Sequence, residues 1–223
     1  MNYILHLETS TKACSVALSS NGKLVACKES LTDVYAHSES LTTYIQQVMK
    51  ESGIEMKQLK AVSVTSGPGS YTGLRIGVST AKGLCYALGI PMIAVDSLVS
   101  MATLAKDKYP NRNLCALIDA RRMEVFSAIY SPELNVIKPI SADVLEDVSV
   151  YAEYEPFVYF GDGANKMEAH WNKRNCNIDT EIHASAKGQM TIAYQKYLTA
   201  EFENVAYFEP FYLKDFVSTQ KKA

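Results

Sequence analysis

The chain has 223 residues, enough to bury a full core as one large domain or as two lobes. Its 22 Lys and Arg against 24 Asp and Glu give a formal net charge of −2, so no basic footprint points to this chain gripping nucleic acid by itself. Five cysteines (Cys14, Cys27, Cys85, Cys115, Cys176) without a CxxC pair read as reduced, buried thiols, and no leader peptide or ~18-residue apolar run is visible, so a cytoplasmic protein without membrane attachment is expected.

In chain order, Tyr3 to Glu8 reads as a strand that ends in an acid and runs into a Thr9-Ser10-Thr11 turn. Cys14 to Leu18 and Lys23 to Cys27 follow as strands joined by Asn21-Gly22, a strong hairpin signal. Three antiparallel strands therefore open the chain. A helix is predicted from about Ser38 to Ser52, with Leu41, Ile45, Val48 and Met49 on one face and Gly53 closing it. Ala61 to Thr65 is mostly β-branched, as a buried strand would be. Gly67-Pro68-Gly69-Ser70 breaks that strand, and Ser70 or Thr72 can cap a helix that Gly89 and Pro91 stop. Met92 to Val95 is another strand, and Ser97 is expected to cap a helix through about Lys106. Beyond the polar stretch Lys106 to Asn113, strands are predicted at Leu114 to Ile118, Glu124 to Tyr130 and Phe157 to Phe160. Helices are predicted at Lys166 to Lys173 and Thr191 to Phe202, and the polar tail from Lys214 to Ala223 is expected to fray. Both halves open with hairpin strands and then alternate helix with strand, which predicts two α/β lobes, each with a mixed sheet.

The helix after the glycine turn has an unusual face. Gly73, Gly77, Ala81 and Cys85 follow one another four apart and stack along one side. A glycine inside a helix costs about 1 kcal/mol relative to alanine, so close approach of something is implied, either the protein's own fold or a partner's helix. The same stretch fails as other motifs. Its glycines are misspaced for a dinucleotide fingerprint, no Gly-Lys-Ser/Thr follows for a P-loop, and Ser70 lacks the flanking glycines of a nucleophile elbow.

Several segments together resemble one family. They are Leu5 to Leu18, Ala36-His-Ser-Glu-Ser-Leu41, Ser66 to Leu88, Ile118-Asp-Ala-Arg-Arg-Met-Glu-Val-Phe126, Gly161-Asp-Gly-Ala164 and Pro210-Phe-Tyr-Leu-Lys214. The chain is similar over nearly its whole length to the TsaB (YeaZ) proteins of tRNA threonylcarbamoyladenosine biosynthesis, and Gly67-Pro-Gly-Ser-Tyr-Thr-Gly-Leu-Arg-Ile-Gly77 is the most specific match. The resemblance implies an actin/hexokinase/Hsp70-like fold of two ribonuclease-H-like lobes. Residues 1–105 would form the first lobe, completed by a C-terminal helix at about 190–213; 106–189 would form the smaller second lobe and 214–223 a tail.

It further implies a non-catalytic subunit that pairs with a TsaD-type catalytic subunit and a TsaE-type ATPase for threonylcarbamoyl transfer beside the anticodon. Alone it would form a homodimer, and tRNA would be met through the complex. In such complexes the first two long helices of each partner meet. The interface residues expected here are His37, Leu41, Tyr44, Gly73, Arg75, Gly77, Ala81 and Cys85. Metal-binding paralogues use two histidines four apart on the first long helix; here His37 is followed at that spacing by Leu41, so no metal site is expected. Remote kin bind ATP between the lobes, which makes Glu8, Thr9, Ser10, Asp119, Gly161 and Gly163 the candidates for ATP and magnesium. The loops lack the extra glycines and the lysine that would neutralise a triphosphate, so a vacant cleft without cofactor is expected, with a small-molecule kinase or ATP hydrolase as the alternative. Related sequences have carried a glycoprotease label; without an HExxH helix or paired histidines that chemistry has no visible machinery.

Overall fold

The computed structural model describes residues 1–31, 37–145, 149–171 and 174–214. β1 (Tyr3–Glu8), β2 (Ala13–Ser20) and β3 (Lys23–Leu31) form the antiparallel meander, with Asn21 and Gly22 both at positive φ in the first turn. β4 (Leu59–Gly67) and β5 (Met92–Asp96) then join β1 in parallel, giving the sheet order β3-β2-β1-β4-β5. The second sheet repeats this plan. β6 (Asn113–Asp119), β7 (Glu124–Tyr130) and β8 (Val136–Val144) form the hairpins, while β9 (Phe157–Phe160) and β10 (Cys176–Asp179) add in parallel. Read from its antiparallel edge the order is β8-β7-β6-β9-β10, the counterpart of the first. The two halves are two mixed-sheet α/β lobes.

Side-chain alternation along β1 decides which layer covers which face. Leu5 and Leu7 meet Leu41, Ile45, Val48 and Met49 of α1 (His37–Ser52) and Val78, Ala81 and Cys85 of α2 (Tyr71–Leu88). Ile4 faces the other way, onto Ala193 of α5 (Met190–Leu198). In the second lobe, α3 (Ser97–Ala105) covers one sheet face through Leu98, Met101 and Ala102. The opposite face is filled by Trp171, at the end of the short α4 (Glu168–Trp171). Its ring meets Tyr151, Phe157 and Tyr159 edge-on at 4.8, 5.1 and 4.8 Å.

Four expectations are corrected. β8 and β10 were not foreseen; both are sheet edges, and Pro139 inside β8 hides it from a strand pattern. α4 spans only Glu168–Trp171 of the helix expected from 166 to 173. α5 ends at Leu198 rather than near 202 or 213, and the chain continues as an irregular strap with a turn at 205–207. That strap bridges Glu203 to Met92 at the β5 edge and gives Phe211 N to the Ser66 carbonyl at 2.7 Å. Lys214 pairs with Glu124 of the other lobe.

Candidate functional site

Of the residues proposed for a nucleotide, those that end or follow β1 (Glu8, Thr9 and Ser10) are buried. Glu8 is fully buried, and its Oε1 accepts the Ser10 amide at 2.7 Å. Burial raises its carboxyl, against the hydrogen bonds that Ser10, Thr65 and Thr9 offer. The Ser10 carbonyl in turn accepts Ser70 N–H at 2.6 Å, and a Cβ at Gly69 would stand 2.3 Å from that carbonyl oxygen. Only glycine lets the Gly67–Ser70 turn lie this tightly over the Glu8–Ser10 loop. Thr9 turns inward and donates its hydroxyl to the Gly73 carbonyl at 2.8 Å.

The second-lobe candidates are also occupied. Lys166 pairs with Asp119 at 2.5 Å and reaches the Arg122 and Glu124 carbonyls. A Cβ at Gly161 would meet the Leu117 carbonyl at 2.1 Å, and one at Gly163 the Ile118 backbone at 2.9 Å, so these glycines let the loop hug β6. Asp162 accepts Asp119 N at 3.0 Å, and its carboxyl is pushed up to about 6, first by burial. Glu8, Thr9 and Ser10 are thus buried, Asp119 is paired with Lys166, and Gly161 and Gly163 serve close packing; Glu8 Oε2 and Ser10 Oγ keep no hydrogen-bond partner among the described residues. Among the described residues no cluster of three metal-ligating side chains exists. His6 is a core residue: its Nε2 pairs with Ser19 Oγ at 2.8 Å, and burial pushes it down to about 3.

The small-residue face of α2 is corrected as well. Gly73, Gly77, Ala81 and Cys85 are buried in the protein's own core. A Cβ on Gly77 would stand 2.3 Å from Thr9 Oγ1 and 3.5 Å from Val64, so the close approach is to β1 and β4. Leu41 is buried in the same core, and Tyr44 packs against it. His37 opens α1, but its side chain lies outside the described residues. Among the expected interface residues whose side chains are described, Arg75 is the exposed one. Its guanidinium lies 4.0 Å over the Tyr71 ring and gives Nε–H to Tyr212 Oη at 3.2 Å.

The outward face of α2 is what the pattern concealed. Thr72, Arg75, Ser79, Gly83, Tyr86 and Ala87 are exposed, nothing stands within 4 Å of a Cβ placed on Gly83, and Tyr86 is 88% exposed. Thr42, Thr43, Gln46 and Gln47 of α1 are exposed beside it. The C-terminal strap frames this face through the Lys82 bond to the Ala206 carbonyl, 3.1 Å, and through Tyr212.

A family model described as TsaD, tRNA N6-adenosine threonylcarbamoyltransferase, matches residues 34–220. Curated TsaB proteins of tRNA threonylcarbamoyladenosine biosynthesis are similar: 36% identical over 55% of this chain in Haemophilus influenzae and 37% over 60% in Escherichia coli. The chain belongs to this family, in its TsaB (YeaZ) branch. The aligned stretch spans 51% and 57% of those two relatives. YeaZ from Pseudomonas aeruginosa superposes with a TM-score of 0.80 at 25% identity, covering 96% of this chain and all of that one. The dehydratase activator of Clostridium difficile, solved with bound ADPNP, shares the actin-like fold at a TM-score of 0.56 and 11% identity, over 91% and 98% of the two chains. Outside the TsaB sequence signature lie the polar contacts that only the structure shows. Glu29 accepts from Ser185 Oγ at 2.6 Å and Lys187 Nζ at 2.7 Å, and buried Gln189 accepts from Ser63 Oγ at 2.7 Å. No periodicity marks them, because each joins residues more than a hundred positions apart.

Proposed function

We propose that the chain is a non-catalytic subunit of the machinery for tRNA threonylcarbamoyladenosine biosynthesis. It docks a TsaD-type catalytic subunit, or a second copy of itself, on the outward faces of α1 and α2. The observation that carries this reading is the outer side of α2, where Gly83 leaves open space beside an almost fully exposed Tyr86. A large aromatic set in water beside a glycine gap suits an anchor and a hole for an incoming helix. The other side of α2 is fixed to its own sheet, so the helix is a rigid platform. Support by the chain would then work through preferential binding to the competent state of its partner. A TsaE-type ATPase joins the pair, tRNA is met through the complex, and the assembly works in the cytoplasm.

A kinase or ATP hydrolase is the competing reading. It is disfavoured because Glu8 is buried and the glycines of the expected nucleotide loops are used for packing. The test is reconstitution with TsaD- and TsaE-type partners, with and without this chain, scoring modified tRNA. Loss of modification without the chain is expected. Full modification in its absence, or Mg-ATP turnover by the chain alone, would overturn the proposal.

A further inference from the structure

Away from the α1–α2 face, an open groove of about 410 Å³ lies between the β5–α3 junction and the β7–β8 hairpin. Asp96 and Val99, at the end of β5 and the start of α3, form one wall; Tyr130, Leu134, Val136, Pro139 and Ile140 of the β7–β8 hairpin form the other. Its size lies in the range of small-molecule sites, and its lining is apolar apart from one carboxylate and one phenol.

The carboxylate is the unusual part. Asp96 Oδ1 accepts both Leu98 N at 2.8 Å and Val99 N at 3.0 Å, so Asp96, not the expected Ser97, caps α3. Its Oδ2 has no hydrogen-bond partner among the described residues, and no cation there forms an ion pair with Asp96. Two groups on neighbouring elements bear on it. Lys196 of α5 gives its ammonium to the Ala94 carbonyl at 2.9 Å, and Tyr130 of β7 is held protonated by burial and then by the Asp96 charge. Burial pushes the Asp96 carboxyl up to about 6, against the two amide donors and Lys196. A charge so placed is under-compensated, and a donor brought by a ligand would relieve it. A lone carboxylate with no further oxygen or nitrogen ligand does not make a metal site.

We propose that this pocket binds a small organic cation: an ammonium group on Asp96 Oδ2 and a hydrophobic body against Val99, Leu134, Val136 and Ile140. Because Asp96 ends β5 of the first sheet and the hairpin belongs to the second, occupancy would hold the β7–β8 hairpin against the β5–α3 junction. The site is separate from the docking surface and does not depend on the proposed function.

The test is an amide NMR titration with three probes of one shape: 2-phenylethylammonium, 2-phenylethanol and 3-phenylpropionate. The ammonium is expected to saturate, with shifts centred on Val99, Leu134, Val136 and Ile140, and to bind at least ~10-fold tighter than the alcohol. Asp96→Asn keeps the helix cap, since asparagine caps as well as aspartate, and should abolish that ~10-fold preference with the fold intact. Val136→Trp, at the exposed rim, should weaken ammonium and alcohol alike. Equal binding of ammonium and alcohol, shifts centred elsewhere, absence of binding, or a preference that survives Asp96→Asn would each overturn the proposal.

Discussion

Gly77 and Gly83 lie on one helix with opposite surroundings, so one substitution should have opposite effects. At Gly77 a methyl would press on Thr9 Oγ1, which cannot swing away because it is buried and holds the Gly73 carbonyl. Gly77→Ala should therefore destabilise by about 1–3 kcal/mol through overpacking. At Gly83 the same methyl meets open space, so Gly83→Ala should stabilise by about 0.5–1 kcal/mol through helix propensity alone. Urea midpoints of the two variants check both signs. His6 gives a pH test at the same scale. Its folded pKa, about 3, lies below the ordinary 6.5, so the unfolded chain takes up a proton that the core refuses. The contribution of the neutral imidazole is complete above ~6.5 and is lost as pH falls toward ~3, by at most ~1.4 kcal/mol per pH unit. Asp96 and Asp162, with raised values, bend the whole curve the other way. The clean measurement is the difference between the parent protein and His6→Gln, which should shrink on acidification from pH 7 to 4. A constant difference would rule out a buried neutral His6.

At the scale of elements, α5 is pinned by Gln189 just before it. The Gln189 amide donates to the Leu7 carbonyl at 2.8 Å and accepts from Ser63 Oγ, all inside the protein. Gln189→Leu keeps the volume but leaves Ser63 without its partner, at a cost of about 1–3 kcal/mol. Adding Ser63→Ala should recover part of that loss rather than deepen it, and a double-mutant cycle on denaturation midpoints reads the coupling. Contacts of this kind explain what was legible. The β1–β3 meander, α2 and β5 follow from local signals: Asn21-Gly22, the Gly67–Ser70 turn, the Leu74–Val78–Cys85 stripe and Gly89. β8 escaped because a buried Lys138 and Pro139 interrupt its pattern; the lysine is satisfied by Asp143 at 3.0 Å and Ser127 Oγ at 2.8 Å, neither adjacent in sequence. The glycine ridge was expected to make room for a partner's helix, and that expectation fails: the ridge is buried against the protein's own strands. Spacing shows that something comes close; which surface it is depends on tertiary placement, and here it is Thr9 and Val64.

Across the whole molecule, two sheets of one plan carry unequal covers. The second lobe has short α4 and the aromatic cluster around Trp171, whereas the first carries α1 and α2, whose outer sides face solvent. Duplication alone would not leave two long helices with a glycine gap and an unburied tyrosine between them and water. A docking surface there predicts a separation of effects that a merely structural helix would not show. Gly83→Trp fills open space, so the thermal midpoint should move by no more than a few degrees. The bulky ring should nevertheless bar an approaching helix, cutting co-purification with a TsaD-type partner at least ~10-fold and releasing any homodimer to monomer on a sizing column. Tyr86→Ala should weaken the same contacts by removing the anchor. Gly77→Ala does the reverse, lowering stability while sparing docking at concentrations where the protein stays folded. If Gly83→Trp pairs as tightly as the parent protein, the partner uses another surface, and the exposed tyrosine requires a different explanation.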